Sequence, residues 1–84
     1  MKFSTLNNDY KTVLRNVALN VRRLRKAQNK SQDTLAHEAD IDRTYIGYIE
    51  NQKHNVSLGK LCAVAKVLHV DVEELLKMPP KEEE

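Results

Sequence analysis

Cysteine occurs once in the 84 residues, at Cys62, so no internal disulfide can form. A single thiol also fits a reducing compartment. Tryptophan is absent, glycine occurs twice, and proline is confined to Pro79 and Pro80. No apolar run approaches the roughly 18 residues needed to cross a bilayer. The N-terminus also lacks the uninterrupted apolar stretch of a signal peptide. The cytoplasm is the expected location. Internal repeats and strand-like alternation are both missing. His37, His54 and His69 are scattered, and no Cys/His spacing resembles a zinc site. Cys62 and His69 lie two turns apart on one helical face, but two ligands do not close a site. Cys62 is expected as a small core residue instead. There is no nucleophile with a nearby base and no glycine-rich phosphate loop. Catalysis, a metal, a cofactor and a small-molecule effector are therefore not expected.

What is present is charge and helical periodicity. One domain is expected, and below about 80 residues a single core is marginal, which oligomerisation commonly remedies. The net charge of +2 hides an asymmetry, because Glu82-Glu83-Glu84 closes the chain. Residues 1–77 alone carry 13 Lys and Arg against 9 Asp and Glu. Five of those cations, Arg22, Arg23, Arg25, Lys26 and Lys30, fall within nine residues. Such a cluster is a solvated helix face or, beside a nucleic-acid-binding motif, part of a phosphate-facing surface.

The periodicity predicts an all-α chain of five helices. Residues 1–9 form a flexible N-terminal segment, 10–77 the helical domain and 78–84 an acidic tail. The first helix runs from near Tyr10 to near Gln28, with Leu14, Val17, Val21 and Leu24 along one stripe. Ser31 caps the second, which carries Leu35, Ala36 and Ala39 at helical spacing. Asp40-Ile41-Asp42 breaks it, and Asp42 caps a third helix with Tyr45, Ile46 and Ile49 inward. Ser57 caps the fourth, with Leu58, Leu61, Val64, Ala65 and Leu68 facing the core. Asp71 and Glu74 have capping-box spacing for a short fifth helix carrying Val72, Leu75 and Leu76. Met78-Pro79-Pro80 stops it, since proline lacks the next helical N–H. Two short helices crossing at a tight turn, the second with polar groups outward, form a helix-turn-helix.

Residues 24–32 (LRKAQNKSQ) and 42–51 (DRTYIGYIEN) carry a resemblance to the lambda-repressor-like, Cro/repressor type of helix-turn-helix family. The Asp-Arg-Thr-Tyr-Ile wording is similar to the controller proteins of restriction–modification systems. The match spans roughly Val17 to Leu76. One departure stands in the turn, where Asp40 occupies the position that glycine usually fills; Asp visits the left-handed region more readily than most residues.

Arg43 and Thr44, in the first turn of the third helix, are the first candidates for reading bases. Arginine can donate two bonds to guanine O6 and N7, and the threonine methyl can pack on a thymine methyl. The resemblance implies base contacts at these two positions and at Tyr48. It also implies that Gln32, at an anion-favouring helix start, holds a phosphate. Asn51, Lys53, His54 and Asn55 form a polar loop placed to meet the backbone beside the groove. Tyr45 is expected to pack inward with its hydroxyl at the rim, within reach of a phosphate. Gly47 implies a close approach, either to the preceding helix or to DNA. If the first and third helices pack through Leu24 and Ile49, Arg25 and Glu50 meet at the core's edge, and the resemblance implies an ion pair there.

The expected function is a homodimeric transcription regulator on a two-fold-related double-stranded operator. Leu68, Val72, Leu75, Leu76 and Met78 are the expected dimer surface. A restriction–modification controller and a phage-type or chromosomal repressor are both open. The rival reading is a protein-interaction module, such as a helix-turn-helix antitoxin partnered by a toxin.

Overall fold

The computed structural model describes residues 9–53 and 55–80. The expectations placed on the N-terminal segment up to residue 8, on His54 and on the tail from residue 81 lie outside them. The described residues form five helices and no strand: α1 (Tyr10–Ala27), α2 (Gln32–Ala39), α3 (Arg43–Glu50), α4 (Leu58–Val67) and α5 (Val72–Leu76). None is long and apolar enough to cross a membrane.

Four of the five starts are capped by a side chain, as the exposed first-turn N–H groups require. Asp9 accepts from the Thr12 amide, Ser31 from Thr34, Asp42 from Thr44 and Ser57 from Lys60. The capping box expected for α5 does not form: Asp71 makes no side-chain cap bond, and the Glu74 carboxylate pairs with Lys77 at 3.0 Å instead.

The helix ends show what the scarcity of glycine demands. The first four helices turn off through a left-handed residue, and none is glycine: Asn29, Asp40, Gln52 and His69, with φ between 56° and 62°. At each end the amide of the left-handed residue and the amide after it fold back onto the last helical turn. For α1 these bonds are Asn29 N–H to the Lys26 carbonyl and Lys30 N–H to Arg25. For α2 they run from Asp40 to His37 and from Ile41 to Ala36. This double bond pattern satisfies carbonyls the helix would otherwise orphan. The Asp40 turn keeps the geometry a glycine would give.

The core is a cluster centred on Val17, Val21, Leu35, Ile46, Ile49, Leu61, Val64, Leu68 and Leu75. Two expectations for α4 are corrected. Leu61, Val64, Ala65 and Leu68 use the inward stripe, so Cys62, about 100° round the helix from Leu61, is exposed. Leu58, at the first position of α4, projects past the core's edge and is 67% exposed.

The dimer surface also needs correction. Leu68 and Leu75 are only 1% and 0% exposed within the single chain, because α5 docks against both α1 and α4. They are core residues and cannot be shared with a second copy. Val72 and Leu76 are half-buried, and Met78 is 63% exposed. Sequence periodicity gave no hint of what holds α5 in place. Two buried asparagines of α1 do so: Asn20 Nδ2 donates to the carbonyls of Leu75 (3.1 Å) and Lys77 (2.8 Å), and Asn16 Nδ2 to that of Leu76 (3.2 Å). They satisfy the carbonyls at the end of a helix too short to do so itself.

Candidate nucleic-acid interface

Helix α3 is two-faced. Ile46, Ile49 and Glu50 are buried, while Arg43, Thr44, Tyr48 and Asn51 are exposed, with the half-buried Gly47 among them. Thr44, Tyr48 and Asn51 follow one another at four and three residues, so they line one outward stripe. An ideal Cβ built on Gly47 meets nothing within 4 Å. Close packing on the preceding helix is therefore not why glycine stands there.

The buried face is fixed by one carboxylate. Glu50 has a side chain only 1% exposed, and groups from two other helices converge on it. Arg25 donates through Nε to Oε2 at 2.7 Å and through Nη2 to Oε1 at 2.9 Å. Gln32 Nε2 donates to Oε1 at 3.0 Å, and Arg22 Nε reaches the same oxygen at 3.4 Å. Arg25 Nη1 also donates to the Lys30 carbonyl, which ties the α1–α2 turn to the same cluster. Burial pushes the Glu50 carboxyl upward, but the hydrogen bonds from Arg25 and Gln32, the Arg25 charge and the Arg22 bond outweigh it. The group rests below its ordinary value and is ionised at neutral pH. Arg25 is held above its own ordinary value, chiefly by the bonds to Glu50, with burial working against them.

The expected contact residues are thus distributed as follows. Arg43, Thr44, Tyr48, Asn51, Lys53 and Asn55 are exposed around the outer side of α3 and the loop after it. Gln32 is half-buried and has one amide hydrogen on Glu50, leaving the other and its carbonyl oxygen for a ligand. The Tyr45 hydroxyl accepts from the Ser57 amide at 2.8 Å, linking α3 to the start of α4, and keeps its own proton to donate. Lys60 Nζ stands 5.3 Å from the centre of the same ring. Asn55 Oδ1 accepts from the Tyr10 hydroxyl at 3.0 Å, so the loop is anchored to the start of α1. Two groups escaped the sequence reading. Lys60 lies 15 residues from Tyr45, and Asp33 Oδ1 sits 2.8 Å from Arg43 Nε across the two helices. Neither spacing is a local signal. Among the described residues no cluster of ligating side chains could hold a metal ion.

The family model for helix-turn-helix domains matches residues 21–75. The chain belongs to the helix-turn-helix family of DNA-binding regulators. It is 43% identical over 68 residues to the control protein C.SmaI of Serratia marcescens, covering 81% of this chain and 77% of that protein. Among solved structures it is similar to the restriction–modification controller C.AhdI of Aeromonas hydrophila, with a TM-score of 0.70 and 37% identity. That match covers 74% of this chain and 94% of the controller. The biofilm master regulator SinR, solved in complex with DNA, matches with a TM-score of 0.69 and 31% identity over 73% of this chain and 98% of SinR.

Proposed function

We propose that this regulator controls a restriction–modification system in the cytoplasm, binding a two-fold-related operator as a homodimer. The observation that carries the reading is the two-faced α3: a solvent-facing stripe of Arg43, Thr44, Tyr48 and Asn51 backed by a Glu50 clamp that sets its pose. The controllers among its relatives supply the system. Residues 10–77 form the binding domain. Arg43, Thr44 and Tyr48 read base edges in the major groove. Gln32, Tyr45, Asn51, Lys53, His54 and Asn55 meet phosphates, which supply most of the affinity and make it salt-sensitive. Gly47 admits the DNA backbone or base edges close to α3. Val72, Leu76 and Met78 join the two copies, setting half-sites about one helical turn apart or a multiple of it.

Selection of a preferred duplex from a random library, followed by footprinting upstream of the chain's own gene, tests the reading. Arg43→Ala is expected to cost about 1–3 kcal/mol on the selected duplex and to relax discrimination at one base position. Gln32→Ala weakens preferred and random DNA more evenly. Equal loss on both DNAs for Arg43→Ala would make Arg43 a phosphate contact and overturn the readout.

A further inference from the structure

Asp33 stands in the first turn of α2, where an acidic residue suits the helix dipole and ordinarily invites no further account. Its surroundings are less ordinary. Asp33 Oδ1 lies 2.8 Å from Arg43 Nε, with the two side chains 79% and 60% exposed. Its neighbour Gln32 bonds Glu50, at the far end of the same α3. Two consecutive residues of α2 therefore meet the two ends of the reading helix. An exposed pair of this kind contributes little to fold stability. A carboxylate on a surface that meets phosphates also opposes binding to any DNA. Its presence there calls for a compensating role in recognition.

We propose that Asp33 is a specificity-determining residue that reserves Arg43 for a base edge and withholds it from phosphates. The inference rests on the base-reading role of Arg43 argued above. The carboxylate faces Nε, which leaves Nη1 and Nη2 as a planar two-donor end matching guanine O6 and N7. Holding the guanidinium before contact lowers the side-chain ordering that binding would otherwise require. The same pairing neutralises the charge Arg43 would offer to a random phosphate. Asp33 thus weakens non-specific binding and, by ordering Arg43 beforehand, slightly favours the selected duplex.

The test compares the wild-type chain with D33A, R43A and the double variant, each titrated with salt on the selected duplex and on a scrambled one. D33A is expected to bind the scrambled duplex several-fold more tightly. Its preference for the selected duplex should fall about tenfold, the scale of one bidentate base contact. Its log–log salt slope on scrambled DNA should steepen by about 0.9, one further phosphate contact. Base preference should relax at the single position that R43A relaxes, and D33A should change that preference no further once Arg43 is gone. The melting temperature should not move, which separates the effect from a loss of folding. Equal tightening on both duplexes with an unchanged base profile would reduce Asp33 to a repulsive charge and overturn the proposal, as would a D33A effect that persists in full in the R43A background. A wild-type chain that selects no sequence would instead remove the base-reading role of Arg43, a failure distinct from that of Asp33 alone.

Discussion

Replacing Glu50 with Gln would leave Arg25, whose side chain is 11% exposed, facing a neutral amide where little water can enter. Removing one member of a buried pair costs about 3–5 kcal/mol, and at about 4–8 °C per kcal/mol the loss is plain in a thermal melt of a domain this size. Glu50→Gln is expected to show it, and a double-mutant cycle with Arg25→Met should give a coupling clearly above zero. A coupling of zero would mean that the pair does not hold α3. The pH dependence has a definite sign. The Glu50 carboxyl is lowered in the folded chain, so the unfolded chain binds its proton more tightly. Its stabilisation is complete above the ordinary glutamate value of about 4.3 and is lost as the pH falls through the lowered folded value. The melting gap between wild type and Glu50→Gln should therefore hold steady from neutral pH down to about 5 and narrow below about 4.

Helix α3 offers a second test, because the proposed close approach of DNA at Gly47 would set recognition against stability. A helical glycine costs up to about 1 kcal/mol relative to alanine, and an added Cβ would meet open space. Gly47→Ala is expected to raise the melting temperature by a few degrees and to weaken operator binding several-fold. Undiminished binding would show that DNA does not approach this point closely. The helix ends carry a comparable local cost. Gln52 and His69 take left-handed backbone without being glycine, while both glycines of the chain lie inside helices. The helix ends were legible as ends from their polar residues. That all four share one geometry was not, because a left-handed turn without glycine leaves little mark in sequence.

For the proposed dimer, Val72, Leu76 and Met78 remain available at the α5 end once Leu68 and Leu75 are assigned to the core. Leu75→Glu would test folding rather than association, since it puts a charge at a site with no exposure. Leu76→Glu and Met78→Glu are the informative variants. Each is expected to give a folded monomer that binds the operator weakly. Unchanged sedimentation mass in both variants, beside a dimeric wild type, would place the interface elsewhere.

Local chemistry in the sequence determined the helices and their order. Caps act within three residues and apolar stripes repeat every three or four, so Ser31, Asp42 and Ser57 announce their helices, and Leu35, Ile46, Ile49 and Leu61 their inner faces. The wording of residues 42–51 carried the helix-turn-helix, and with it the identity of the outward stripe. Arg25 and Glu50 could be expected to meet because each directly follows a core residue, Leu24 or Ile49, through which the first and third helices were expected to pack. Which other groups would join them was decided only by the rotation and crossing of packed helices. That packing brought Gln32 and Arg22 onto Glu50 and Asn16 and Asn20 onto the end of α5. It also set Asp33 beside Arg43 and turned Leu75 inward. A polar side chain carries no periodic signal naming a partner 10 to 60 residues away. Its bond exists only after the apolar faces have packed and fixed the distance between helices.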